Sequence, residues 1–320
     1  SKNDKLYEIY ELAHKYYQNN MSSSYSKKAK EYLNNRKITD EMIKEYKIGL
    51  SLDKMDNLTK LLLSKGYDLN TLNDIGLSSY DKDVYMNRIM FPLYDLNGRV
   101  VGFSGRRYDG IKENKYVNTK GTEIFQKGDT LYNYHLAKDE AKRSKKLIIV
   151  EGQMDAIRLY INGVKNVVAL IGTALTKEQI ELIKRLRCEV ILGLDGDEAG
   201  KNATLKNGEI LVQNNIKVQV VRISLKKDPD EYVFTYGIDG YIKMLDNPID
   251  YLDFKLETLK SNINTENALE LTNYVNKVLD DLKTIKDPIY LDLSLTKLSK
   301  TSNISKEVLQ ERLNEINNLQ

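Results

Sequence analysis

Apolar positions in the first 80 residues recur at helical spacing: Leu6, Ile9, Tyr10 and Ala13 share one face, and "KKAKEYL" and "DEMIKEY" continue the period. Short helices with turns between them are expected there. The texture changes at Arg88. In "NRIMFPLYDLNGRVVGFSGRRYD", β-like apolar runs flank Asn97-Gly98, a dipeptide that favours a tight hairpin turn. A Gly- and Lys-rich loop region then leads to a helix-like stretch, "LYNYHLAKDEAKRS". From Lys146 the pattern alternates. Runs rich in β-branched residues at 147–150, 167–171, 190–194 and 218–223 are separated by helical segments. One of these opens on a capping box, Thr176 with Gln179, and continues through Ile180, Ile183 and Leu186. Strand and helix in alternation predict a parallel sheet with right-handed crossovers. Beyond Tyr236 the chain reads as polar and helical, with Leu309, Leu313 and Ile316 as an apolar stripe. The expected architecture is α/β and multidomain: a mixed α+β subdomain at 1–144, a central parallel sheet flanked by helices at 145–236, and a helical subdomain at 237–320.

Composition narrows the class. A chain of 320 residues, 41% of them apolar, is long enough for two or three domains. No apolar run approaches the roughly 20 residues of a membrane helix, and no secretory leader is recognisable, so no membrane association is expected. Cys188 is the single cysteine and His14 and His135 the only histidines, which excludes an internal disulfide and a Cys/His zinc cluster. A reducing, cytoplasmic compartment is expected, with no zinc in this stretch. The net charge of +3 says little, but residues 88–127 carry eight Lys or Arg against four Asp or Glu. That segment, basic as Arg88, Arg106, Lys115 and Lys127 make it, suits a polyanion; a solvated surface is the plainer reading.

Ligands of open parallel sheets bind outside the carboxyl ends of the strands. Three acidic clusters fall at those ends. Glu151 follows the first expected strand, Asp195 and Asp197 follow the third in "VILGLDGDEAGKN", and Asp228 and Asp230 lie past the fourth. Carboxylates crowded together repel and resist ionisation unless a cation sits between them. Oxygen donors without histidine or thiolate point to Mg²⁺ or Mn²⁺, and such a partly open site suits phosphoryl or nucleotidyl transfer. Taken alone, "DGDEAG" also reads as an Asp-Gly turn opening an acidic helix. "GDEAGKN" is not a phosphate-binding P-loop, because three residues rather than four separate its glycines and Asn202 follows the lysine.

Glu-Gly after a first strand, Asp-x-Asp after a third and an acidic pair after a fourth resemble the Toprim domain of primases, topoisomerases and some nucleases. The runs "EGQMDAIRLYINGVKNVVALIGTALT" and "DGDEAGKNA" are similar to bacterial DnaG-type DNA primases, as are "YLNNRKITDEMIKEYKIGLS", "KYVNTKGTEIFQKGDTLYNYHLA" and "DPDEYV". The resemblance covers about residues 5–240 and the helical tail only by position. It implies a central Toprim sheet and metal-dependent synthesis of short RNA primers on single-stranded DNA from NTPs, within a primosome. Glu151, Asp195 and Asp197 would be catalytic. With Asp228 and Asp230 they would hold the metal, and Asp155 would support them. Arg36, Arg88, Arg106, Lys115 and Lys127 match positions that contact template, RNA primer or nucleotide in that family.

The zinc-binding and helicase-interacting parts of such primases are not recognisable, so the chain reads as the monomeric core of a longer protein whose replicative helicase contact lies in a domain elsewhere. Tyr108 and Tyr116 are candidates for stacking on bases. A topoisomerase-like enzyme, a nuclease and a non-catalytic DNA-binding scaffold stay open as rivals at this point.

Overall fold

The computed structural model describes residues 1–170, 172, 174–223 and 227–319. Residues 2–21 contain neither glycine nor proline, and they form one helix of 20 residues, Lys2–Met21, longer than the short helices expected. Its buried stripe is Leu6, Ile9, Tyr10, Ala13 and Tyr17, the spacing read from sequence. It packs on a four-stranded antiparallel sheet of β1 (Gly49–Ser51), β2 (Arg88–Tyr94), β3 (Val100–Arg106) and β4 (Tyr116–Asn118), in that order. A Cβ on Gly49 would lie 2.5 Å from Cβ of Tyr17, so only glycine lets the helix cross this strand so closely. The β2–β3 connection turns at Asn97-Gly98, where Gly98 has φ +82°.

The central sheet contains β5 (Lys146–Val150), β6 (Val167–Ala169), β7 (Glu189–Leu192), β8 (Val218–Val220) and β9 (Ile249–Asp250). Their order is β9-β8-β7-β5-β6, all parallel except the antiparallel edge strand β9. The expected strand at 167–171 is described as far as Ala169; its last residue, Ile171, lies outside the described residues. Side chains alternate between two covered faces. Leu147 and Ile149 join a core with helices Tyr134–Ser144, Lys177–Leu186 and Glu198–Gln213, while Ile148 and Val150 join one with helices Gln153–Ile161 and Pro229–Tyr236. Several elements from outside 145–236 share this unit: helix Tyr134–Ser144 packs on it through Ala137 and Ala141, β9 extends it, and Tyr241, Tyr251 and Phe254 enter its cores.

Four helices, Tyr251–Ser261, Ala268–Leu282, Pro288–Ser302 and Lys306–Asn318, then enclose Leu256, Val278, Leu295, Leu309 and Leu313. No described helix is long and apolar enough to cross a membrane. Where this bundle meets helix Glu198–Gln213, the buried Lys255 donates to Glu209 at 2.8 Å and contacts Asp281 at 2.6 Å. Removing a buried cation leaves its carboxylates facing each other. Lys255→Met is therefore expected to lower the unfolding free energy by about 2–4 kcal/mol, read as a lower urea midpoint.

Candidate active site at the edge of the central sheet

The chain leaves β5 toward β6 and returns to β7 on the other side of β5, which makes a topological switch point between these two neighbours. Glu151 follows β5 and Asp195 lies just past β7, so the switch sets these two residues beside each other at the carboxyl ends of neighbouring strands. Glu151 Oε1 and Asp195 Oδ1 are buried without a hydrogen-bond partner. Burial, and then the Glu151 charge, push the Asp195 carboxyl up to about 8. Burial also raises Glu151, and the charges of Asp197 and Asp228 raise it further. A buried carboxylate oxygen left unpaired costs about 1–3 kcal/mol or more, a cost that a proton or a bound cation would remove. Among the described residues no three His, Cys, Asp or Glu side chains form a closed cage. The expected set of five carboxylates is therefore not gathered into one metal-holding group.

Asp197 and Asp228 open helices. Asp197 Oδ1 accepts from Gly200 N at 2.7 Å and Asp228 Oδ1 accepts from Glu231 N at 2.7 Å. The plainer reading of "DGDEAG" as an acidic helix start is thus present in the structure, beside the acidic pair. A Cβ on Gly200 would stand 1.9 Å from the Asp195 carbonyl oxygen, so the turn folds back on itself only with glycine there. Asp155 accepts from Gly152 N at 3.2 Å and from Asp230 N at 2.9 Å, which ties the loop after β5 to the start of helix Pro229–Tyr236. Burial, then the charges of Asp228 and Asp195, hold its carboxyl well above the usual range. Both oxygens of Asp230 are engaged: Arg158 Nε donates to one at 2.8 Å and Arg36 Nη2 to the other. Arg158, 2% exposed, was missed in the sequence. A charged residue in the otherwise apolar "AIRLY" was its signal.

Of the basic residues, Arg36, Arg106 and Lys115 come together. Burial lowers the Lys115 ammonium, the nearby Arg106 and Arg36 lower it further, and Asp228 and Asp230 oppose them. Arg106 donates to the hydroxyls of Tyr116 at 2.6 Å and Tyr32 at 2.7 Å, and its Nε is buried without a partner. Arg88 does something else: its Nη1 donates to the carbonyls of Gly105, Asn114 and Lys115 and so fixes the loop that carries Lys115. Lys127 stands apart on the turn Lys127–Asp129, beside the Thr176 capping box. The Tyr108 hydroxyl donates to Asn87, and the Tyr116 ring lies under the Arg106 guanidinium.

These charges give a stability prediction. A carboxyl raised from 3.8 to about 8 stabilises the fold only while protonated, so this contribution is lost as pH rises through that window. In EDTA at pH 8, Asp195→Asn is expected to raise Tm by about 2–4 °C. Mn²⁺ is expected to raise the wild-type Tm and leave that of the variant nearly unchanged.

An acidic pair at the switch point of a parallel sheet, with a cationic cluster of an antiparallel subdomain beside it, defines the Toprim class of nucleotide-handling catalytic cores. Three families match in succession: "DNA primase catalytic core, N-terminal domain" over residues 16–138, "Toprim-like" over 148–233, and "DnaB-helicase binding domain of primase" over 252–307. A DNA primase of Clostridium acetobutylicum is 33% identical over 316 residues, 97% of this chain and 52% of the relative. A DNA primase domain from Pseudomonas aeruginosa superposes with TM-score 0.84 at 27% identity, covering 97% of this chain and 99% of that one. The RNA polymerase domain of Mycobacterium tuberculosis primase DnaG, in complex with a double-stranded DNA oligomer with a 6-nucleotide overhang, gives TM-score 0.79 at 25% identity, covering 93% of this chain and 97% of that one. The chain belongs to the DnaG-type DNA primase family, of which it carries the catalytic core with its Toprim domain. It spans about half the length of the curated relatives it matches. The match over 252–307 corrects the expectation that the helicase-interacting part lies outside this chain.

Proposed function

We propose that this chain synthesises short RNA primers on single-stranded DNA by metal-dependent nucleotidyl transfer. The observation that supports the reading is the pair of buried, unpartnered oxygens of Glu151 and Asp195 at the strand ends, together with the Arg36, Arg106 and Lys115 cluster next to Asp228 and Asp230. Glu151 and Asp195 would be the main ligands of Mg²⁺ or Mn²⁺, with the oxygens of Asp197 and Asp228 not used in capping as further donors. Asp230 is better read as the anchor of Arg36 and Arg158 than as a ligand. A bound divalent cation would supply acidification of the primer 3′-hydroxyl and charge neutralisation at the triphosphate. Glu151, through its other carboxylate oxygen, would take the hydroxyl proton as the 3′-oxygen attacks the α-phosphorus and pyrophosphate leaves. Lys115 and Arg106 would hold the negative oxygens in place. Arg88 would act by shaping the Lys115 loop, and Lys127 by meeting the template or primer at a distance. The division of labour follows the spans 1–144 for the basic subdomain, 145–236 for the Toprim domain and 237–320 for the helices, of which 252–307 would meet the replicative helicase.

Incubation with single-stranded DNA, labelled NTPs and Mn²⁺ tests the reading. Short RNA should appear, and template binding should weaken steeply with salt because phosphates carry it. Cleaved DNA, a covalent protein–DNA adduct, or binding without turnover would select a nuclease, a topoisomerase-like enzyme or a scaffold instead.

A further inference from the structure

Two adjoining cavities, of about 340 and 350 Å³, lie between helix Lys2–Met21, the turn of the β2–β3 hairpin and the start of helix Tyr134–Ser144. Both fall within the roughly 300–1,000 Å³ of small-molecule sites. They share Lys47, Tyr94 and Gly98, and neither is lined by a residue of the acidic pair or of the Arg36, Arg106 and Lys115 cluster.

The first cavity is aromatic, lined by Tyr46, Tyr94, Tyr132, Tyr160 and His135. The rings themselves form its wall. Tyr94 and His135 are 4.4 Å apart between ring centres, Tyr46 and Tyr160 meet edge to face at 5.7 Å, and His135 Cδ2 stands 3.4 Å from where a Cβ on Gly98 would be. The hydroxyls converge as well. After burial, it is the neighbouring phenols Tyr94, Tyr116 and Tyr46 that raise Tyr132, and Glu45 and Tyr160 that raise Tyr46. The Tyr46 hydroxyl is buried with no hydrogen-bond partner. No described residue bonds the hydroxyl of Tyr94, Tyr132 or Tyr160 or a ring nitrogen of His135, although the backbones of Tyr132 and Tyr160 are engaged. Burial pushes the His135 imidazole down to about 4, so it stays neutral and offers one donor and one acceptor. Buried phenols normally find a partner, and these lack one.

The second cavity is basic, with Lys15, Lys47 and Arg99 in its lining beside Tyr7, Glu11 and His14. The Lys47 ammonium stands on the His14 side: burial lowers that imidazole, its bond to the Lys47 carbonyl opposes this, and the Lys47 charge lowers it further. The Arg99 guanidinium lies 4.0 Å over the Tyr7 ring and donates to the Asp95 carboxylate through Nε alone, which leaves both terminal nitrogens free among the described residues. Lys15 is paired only with Glu11, at 3.7 Å and exposed, a weak arrangement.

An aromatic chamber whose polar edge groups are unmet fits a flat heterocycle, because stacking needs only ring faces and the edge supplies hydrogen bonds. A cationic chamber joined to it through Lys47 fits a phosphate on the same molecule. We propose that the paired cavities bind a nucleoside 5′-phosphate at a site apart from the catalytic edge. Its base lies among the tyrosine rings with its polar edge on Tyr46 and His135, and its phosphate meets Lys47 and the terminal nitrogens of Arg99, a planar fork suited to phosphate. Free nucleotides and the 5′-phosphorylated end of a single strand carry the same chemistry. The site concerns binding alone, so it stands independently of the polymerase reading.

Equilibrium dialysis against labelled AMP in EDTA tests it, with adenosine and a 5′-phosphorylated oligodeoxyadenylate as companions. Two double variants touch different chambers. Tyr46→Phe/His135→Phe keeps the rings and removes their polar edges; with an unpartnered hydroxyl gone, its Tm should not fall. Lys47→Asn/Arg99→Gln removes the cations from exposed positions, and asparagine tolerates the φ of +55° at residue 47. AMP should bind the wild type saturably, and its Kd should rise at least about tenfold in each variant. Adenosine should bind more weakly than AMP and be indifferent to Lys47→Asn/Arg99→Gln. Lys115→Ala, which alters only the catalytic cluster, should bind AMP as the wild type does. An oligonucleotide no tighter than AMP assigns the site to free nucleotides; tighter binding that both variants lose assigns it to a strand end. No binding at millimolar AMP, equal binding by the wild type and both variants, or binding lost in Lys115→Ala and kept in the two double variants would overturn the proposal.

Discussion

Asp195→Asn is expected to lower RNA primer synthesis at least about a thousandfold, the several kcal/mol of transition-state stabilisation that a bound metal supplies. The substitution keeps the size of the side chain and removes the charge from an oxygen that is buried with no partner in the protein. A structural role for Asp195 would make the variant less stable; instead its Tm should rise in EDTA, because the change relieves repulsion with Glu151. Loss of activity together with a gain in stability is the signature of a carboxylate kept for a ligand. Asp197 provides the contrast. Asparagine also caps helices, so Asp197→Asn should leave stability unchanged, whereas Asp197→Ala should cost about 1 kcal/mol through the lost bond to Gly200. Single-turnover primer extension with each purified variant, beside thermal melts, gives both quantities.

Asp230→Ala is expected to destabilise the protein by about 3–5 kcal/mol. Arg158 and Asp230 are 2% and 4% exposed, and removing the carboxylate strands a buried guanidinium. The same carboxylate holds Arg36 of the N-terminal helices, while the Arg36 carbonyl accepts from Arg158, so one residue joins the basic subdomain to the Toprim sheet. Urea unfolding checks the magnitude. A double-mutant cycle with Arg158→Met should show strong coupling, since the two residues share one network.

Much of this was legible along the chain. The apolar runs and the Thr176 capping box located the strands and helices of the central sheet, and the strand ends located Glu151 and Asp195. The adjacency of β5 and β7 was not legible, because strand order depends on how helices pack across the sheet rather than on local pattern. The duties of Asp230 and Arg88 were hidden for a related reason. Asp230 is neutralised by partners 72 and 194 positions away, and Arg88 spends a hydrogen on carbonyls up to 27 positions away. A side chain's type shows what it can bind, but only the fold shows whether that capacity is already used. The first helix ran longer than expected because short polar stretches between its apolar positions look like turns, although none contains a helix breaker. The last four helices show an apolar stripe that any bundle would have, so nothing local in 252–307 signalled a helicase-binding family.

Mn²⁺ titration followed by electron paramagnetic resonance of the free ion tests the acidic pair most directly, since it needs neither nucleotide nor template. Saturable binding by the wild type, weakened at least about tenfold in Glu151→Gln and again in Asp195→Asn, is the predicted result. Equal Mn²⁺ uptake by the wild type and the Glu151→Gln/Asp195→Asn double variant, or no uptake by the wild type at millimolar ion, would contradict a metal site at the switch point.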